Sequence, residues 1–226
     1  MPPQEDIEKF NQNYKLVEET GAIKTGPGHF VYSYGDHGVI YIEKEDIFKD
    51  SIKSSDLCGQ IAEHFKNSDI DAIAGPESGG IKMANLVAMH FCRLTGREYI
   101  DTVHLFKKGP FMTIKQKGER KMAGKKILLV DDIATTGGSL KKCAQAICDA
   151  DGLITGIGLL WLRGDESKIS KLFQGISFFS LIKVMLEGWK EEQCIKTGPC
   201  ARGVSINTEY GHGAEFIRKN PQYCQV

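Results

Sequence analysis

Residues 127 to 139 constrain this chain more than any other stretch. Ile127, Leu128, Leu129 and Val130 form a short, unbroken apolar run, the pattern of a strand buried on both faces of a parallel sheet. Asp131 and Asp132 follow where such a strand ends, and open α/β sheets bind ligands outside the carboxyl ends of their strands. Ile133 and Ala134 lead into Thr135, Thr136, Gly137, Gly138 and Ser139. This hydroxyl- and glycine-rich turn can converge its backbone N–H groups on an anion. Leu140, Cys143, Ala144 and Ile147 then recur at helical spacing, so a helix begins there with its positive end toward the same anion.

Acid and anion cradle are thus neighbours. Carboxylates repel phosphate, so the aspartates must serve another part of the ligand, most simply sugar hydroxyls that donate hydrogen bonds to them. A ribose 5-phosphate satisfies both halves. The whole string Val-Asp-Asp-Ile-Ala-Thr-Thr-Gly-Gly-Ser resembles the phosphoribosyl pyrophosphate (PRPP) signature of the type I phosphoribosyltransferases. The resemblance implies an α/β fold: a mainly parallel central sheet flanked by helices, with a small N-terminal hood. It also implies that Asp131 and Asp132 hold the ribose 2- and 3-hydroxyls while Thr135 through Ser139 wrap the 5-phosphate, with Ile133 and Ala134 also among the PRPP-binding residues.

The remaining chain fits that frame. At 226 residues it is long enough to bury a full core in one domain with small additions. Lys plus Arg (29) equals Asp plus Glu (29), which argues against a nucleic-acid partner. No apolar run approaches the ~20 residues that span a membrane, and the first residues lack a signal peptide's basic start and apolar stretch. The expectation is a cytoplasmic protein. Seven scattered cysteines read as small buried hydrophobes in a reducing compartment.

Periodicity predicts a helix over about 5–20, from Ile7, Phe10, Tyr14 and Val17, and a hairpin of strands 30–34 and 39–42. A helix starting at Ser54 or Ser55 carries Leu57, Cys58, Ile61 and Phe65. Strands follow at 70–74, 99–106, 153–162 and 176–181, with a helix after residue 80 closed by Gly96. Alternating strands and helices predict a mainly parallel sheet with right-handed crossovers. The expected divisions are 1–55 (helix and hood hairpin), 56–186 (PRPP-binding core, mobile lid at 107–124) and 187–226 (a tail completing hood or dimer contacts).

Further segments bear on chemistry. Gly75-Pro76-Glu77-Ser78-Gly79-Gly80 is a second glycine-rich turn between an apolar strand and a helix, a second anion nest. It resembles the family's pyrophosphate loop, with Lys82 as a departure, and Glu77, Ser78, Gly79 and Gly80 as ligand groups. The lysine-rich stretch from Lys107 to Lys126 suits a basic lid, because ribosyl transfer passes through a cationic sugar while pyrophosphate departs. Lys107 and Lys108 match the start of the lid in orotate phosphoribosyltransferases. The family's lid His is absent, and Lys115, Lys117 and Arg120 stand as substitutes.

Residues 21–44 resemble the orotate class hood at Phe30, Gly35, His37, Tyr41 and Lys44, with Tyr34 and Gly38 replacing serines and Ser33 standing where many members have a base-contacting Lys. Arg163, at the end of an apolar strand, offers a planar fork that matches a carboxylate; the resemblance places it on the orotate carboxylate with Thr135 against the base. The tail from Glu191 to Ile206 resembles that of shorter prokaryotic members. Five residues separate Cys194 from Cys200, wider than a zinc knuckle, and no second Cys pair completes a site. His212 and Cys224 could be recruited to a metal there, but a structural tail packed on the domain or a dimer partner is the preferred reading.

The resemblance implies transfer from PRPP to orotate, giving orotidine 5-phosphate and pyrophosphate, with Mg²⁺ held through PRPP, Asp131 and Asp132, and a homodimer. A transferase for a purine or another heterocycle, and a PRPP-sensing regulator without turnover, are the competing readings.

Overall fold

The computed structural model describes residues 4–33, 35–114, 122–186 and 188–223, the side chains of 4–7 excepted. In chain order the elements are α1 (Gln4–Glu19), β1 (Ile23–Lys24), β2 (Phe30–Val31), β3 (His37–Gly38), β4 (Tyr41–Ile42), α2 (Lys44–Ile47), α3 (Ser51–Phe65), β5 (Ala72–Pro76) and α4 (Gly79–Thr95). Then come β6 (Asp101–Lys108), β7 (Phe111–Ile114), β8 (Lys126–Ala134), α5 (Gly138–Asp149), β9 (Leu153–Leu162), α6 (Glu166–Leu172) and β10 (Ser177–Lys183). The tail holds β11 (Gly188–Trp189), α7 (Glu191–Thr197) and α8 (Gly213–Lys219), with short 3-10 turns at Cys200–Arg202 and Pro221–Tyr223. No described helix is long and apolar enough to cross a membrane.

Two compact units emerge, residues 1–16 with 47–185, and 17–46 with 186–226. The larger is built on a six-stranded sheet of order β10-β9-β8-β5-β6-β7. All pairs are parallel except β6 with β7. Ile127 to Val130 are fully buried on β8, as an inner parallel strand requires. Helix α3 lies so close to β9 that a Cβ at Gly158 would stand 2.7 Å from Ile61, and one at Gly156 2.8 Å from Phe65. On the other side, Leu140, Cys143 and Ile147 carry the buried stripe of α5 into the main apolar cluster.

Several boundaries differ from the sequence pattern. Helix α3 starts earlier, because Asp50 caps it and accepts from the N–H groups of Ile52 and Lys53. Lys107 and Lys108 end a strand and pair with Met112 and Phe111 across an antiparallel hairpin, so the segment expected as a lid starts as sheet. Residues 115–121 of that segment lie outside the described residues. The N-terminal helix, expected with the hood, counts with the larger unit through Leu16: Tyr14 packs 5.7 Å from Trp161, and Gln60 donates to Asn13 at 2.7 Å.

The smaller unit holds very short strands. β2 pairs with β3 and β3 with β11, while β4 pairs with β1. The expected hairpin of 30–34 with 39–42 is therefore shifted: His37 and Gly38, anticipated as turn, are buried strand residues. Tail and hairpin interlock through the backbone. His29 N–H donates to Ser205 C=O and Asn207 N–H to His29 C=O, both at 2.8 Å. Val31, Ile206 and Phe216 form the apolar centre of this unit.

Candidate active site

The sheet's connections change direction at β5 and β8. From β5 the chain moves to β6 on one side; from β8 it moves to β9 and β10 on the other. Such a reversal leaves a crevice outside the carboxyl ends of the two strands, where α/β sheets take their ligands. Both glycine-rich turns leave from this point.

Asp131 and Asp132 close β8 and are 6 % and 4 % exposed. The Asp132 N–H donates to Asp131 Oδ1 at 2.9 Å, and the Ile133 N–H to Asp132 Oδ1 at 2.7 Å. These bonds hold the orientation of the two carboxyl groups. Beyond Ala134 the turn exposes Thr135 and Thr136. Gly137 takes φ 76°, a left-handed conformation suited to glycine, and as N-cap offers no side chain to α5, whose first N–H, that of Gly138, donates to Thr136 Oγ1 at 3.4 Å. The positive end of a twelve-residue helix thus faces the turn's hydroxyls. Behind it Cys143 is an inert thiol: burial, then the Asp131 charge, push it up to about 12.

The second turn is packed by sterics. A Cβ at Gly75 would fall 1.9 Å from the Gly80 carbonyl oxygen, and one at Gly80 2.4 Å from Pro76 Cδ. Glu77 N–H donates to Leu105 C=O at 2.9 Å, and Lys107 N–H donates to Glu77 Oε1 at 2.5 Å, tying the turn to the end of β6. The Glu77–Ser78 peptide is cis. Ser78 precedes α4 without a side-chain cap bond. Lys82 Nζ lies over the Phe48 ring, 5.3 Å from its centroid, a cation–π placement.

The two turns touch. A Cβ at Gly79 would lie 1.9 Å from Asp132 Oδ2, so only glycine lets the second turn close onto the acid pair. Arg163 sits at the end of β9, half-buried, with its N–H on the Ala134 carbonyl at 2.8 Å. The next residue, Gly164, is equally constrained, since a Cβ there would fall 1.8 Å from Thr135 C=O. Arg163, Thr135 and the acid pair therefore lie toward the adjacent carboxyl ends of β8 and β9. Lys107 and Lys108 are exposed at the end of β6. Lys115, Lys117 and Arg120 lie outside the described residues, as does Tyr34. Gly79 as the partner of Asp132, and Gly164 as the partner of Thr135, were not evident from the sequence; the only signal was a glycine beside each anticipated site residue.

A rim of two buried acids, two backbone nests and a half-buried guanidinium has the chemistry to suit a polyhydroxylated, multiply phosphorylated ligand beside a group with a planar anionic edge. The carboxylate oxygens are of the hard type that suits Mg²⁺.

Comparison with known proteins adds the following. The phosphoribosyl transferase domain model matches residues 45–182. An orotate phosphoribosyltransferase of Caldanaerobacter subterraneus subsp. tengcongensis is 32% identical over 168 residues, 74% of this chain and 82% of that protein. The crystal structure of orotate phosphoribosyltransferase from Aeropyrum pernix superposes with a TM-score of 0.55 at 20% identity, covering 84% of this chain and 99% of that one. An adenine phosphoribosyltransferase from Thermoanaerobacter pseudethanolicus gives the same TM-score and identity over 74% of this chain and 99% of its own.

Proposed function

Because the chain belongs to the phosphoribosyltransferase family, we propose that it transfers the 5-phosphoribosyl group of PRPP to orotate, releasing pyrophosphate and forming orotidine 5-phosphate. The observation that carries this reading is the abutment of Gly79 on Asp132. It brings the glycine-rich 75–80 turn and the acid pair against one another, which supports a ligand that carries a diphosphate beside a diol.

In this reading the ribose 2- and 3-hydroxyls donate to Asp131 and Asp132, and the 5-phosphate accepts from the backbone and hydroxyls of Thr135 through Ser139 at the positive end of α5. The diphosphate accepts from the 77–80 turn. The bond between ribose C1 and the diphosphate oxygen breaks, its electron pair leaving with the diphosphate, as a ring nitrogen of the base bonds to C1 and the base loses that nitrogen's proton. Lys107 and Lys108 neutralise the departing charge; Lys115, Lys117 and Arg120 share that work in the lid proposed over 107–124. When bound with PRPP, Mg²⁺ would be held by Asp131 and Asp132, directly or through waters, and would neutralise diphosphate charge. Arg163 pairs with the orotate carboxylate, and Thr135 lies against the base. A cytoplasmic homodimer completes the proposal.

The altered hood and the missing lid His favour one second reading, a different base in the same pocket. A screen of orotate, uracil, adenine, hypoxanthine and guanine with PRPP and Mg²⁺ tests both. Consumption of orotate alone supports the proposal, and consumption of a purine alone replaces it. No pyrophosphate from any base removes the enzyme claim.

A further inference from the structure

In the smaller unit, four side chains from two distant stretches meet at one point. His29 and His37 come from the hairpin, Cys194 from α7 and Cys200 from the turn after it. Their ligand atoms all lie within 4.8 Å of one another. His29 Nε2 is 3.1 Å from His37 Nδ1, 3.2 Å from Cys200 Sγ and 3.7 Å from Cys194 Sγ, and His37 Nδ1 is 3.5 Å from Cys200 Sγ. Around a tetrahedral Zn²⁺, with bonds of about 2.0–2.1 Å to nitrogen and about 2.3 Å to sulfur, ligand atoms stand roughly 3.3–3.8 Å apart. The observed separations scatter about that shell.

We propose that His29, His37, Cys194 and Cys200 form a structural zinc site that clamps the C-terminal tail to the N-terminal hairpin. Two thiolates and two imidazoles are the donor set of closed tetrahedral zinc centres, with no ligand position left for substrate or water. Their setting suits the role. His29, His37 and Cys194 are fully buried. His29 Nδ1 is 3.0 Å from the Ser205 carbonyl oxygen, an acceptor only, so the ring proton belongs on Nδ1 and the Nε2 lone pair faces the cluster. A backbone carbonyl behind a ligating histidine is the usual outer partner of such sites. The Cys200 N–H donates to Cys194 Sγ at 3.4 Å, which fixes the sulfur toward the cluster. Gly198 makes the return possible, since a Cβ there would stand 2.6 Å from Cys194 Cα. Phe216 meets the His37 ring edge-on at 4.9 Å, and with Val31 and Ile206 supplies an apolar shell.

The cluster belongs wholly to the smaller unit, so this inference goes beyond the transferase reading, and either can fail without the other. The sequence pointed elsewhere: His212 is half exposed and pairs with Glu215, Cys224 lies outside the described residues, and the partners are His29 and His37.

The test is metal analysis of the full chain purified under reducing conditions without chelator. The site predicts about one zinc per chain, lost at least tenfold in Cys194→Ser and in Cys200→Ser and retained in Cys148→Ser, whose thiol is exposed elsewhere. If the serine variants are insoluble, the wild-type chain decides the matter: cobalt exchanged for zinc gives the intense visible bands of tetrahedral Co²⁺ with a thiolate charge-transfer band. Wild-type protein free of zinc, stoichiometric iron in its place, or a Cys194–Cys200 disulfide found by mass spectrometry would overturn the proposal.

Discussion

The two units hold their polar groups in place by different means. In the larger one, acids and anion nests sit toward the ends of parallel strands whose central apolar residues are fully buried, and the turns are braced against the sheet they leave. In the smaller one, strands of two residues provide little of the sheet's cooperativity, and order rests on a few contacts between residues far apart in the chain, such as His29 with Ser205 and Cys200. A functional rim on a deep core tolerates local change in the turns without loss of fold, whereas a thin unit concentrates its stability in its cross-links.

The contrast can be broken by substitutions, taken from the largest effect to the smallest. Trp161 is fully buried on β9, and Trp161→Ala should destabilise the larger unit by about 3–5 kcal/mol, seen as a lower denaturant midpoint. Gly79→Ala sets a methyl against the buried Asp132 carboxylate, so it should cost about 1–3 kcal/mol of overpacking, less than Trp161→Ala, while the displaced carboxylate lowers kcat/KM on the order of 10²-fold or more; a rate loss below tenfold would refute the separation of rim from core. Asp132→Asn keeps the shape but removes a charge-assisted acceptor, so PRPP affinity should fall roughly 10- to 100-fold. Asp50→Ala should cost about 1 kcal/mol through the lost α3 cap, with no effect on PRPP binding.

The smallest effect is a pH slope. His64 stacks on Phe179 with ring centroids 3.9 Å apart, and partial burial, then the charges of Lys183 and Lys9, lower its pKa below the ordinary 6.5. The unfolded chain therefore binds the proton more readily, and stability should decline as pH falls below about 6.5 toward the lower folded value. His64→Phe should flatten that decline in a series of unfolding curves.

How much of this was legible in the sequence follows the same division. The acid pair, both glycine-rich turns and the strand–turn–helix run around Asp131 were readable because each is contiguous and its periodicity is long. Asp50 was missed as a cap because Ser54 and Ser55, equally suited by residue type, stand just inside the same helix. The hairpin register slipped because two-residue strands carry almost no alternation, and His37-Gly38 looks like turn. The Gly79–Asp132 abutment and the Cys–His cluster were invisible for a different reason. Each joins residues separated by many tens of positions, and spacing rules for metal sites count only local pairs.

The account stands on the claim that the crevice at β5 and β8 grips PRPP through the acid pair and the two turns. Calorimetric titration of the full chain with PRPP in the presence of Mg²⁺ addresses it most directly. Saturable uptake of about one PRPP per chain, weakened at least tenfold in Asp132→Asn, is the predicted result. No uptake by the wild-type chain, or equal uptake by the variant, would contradict it.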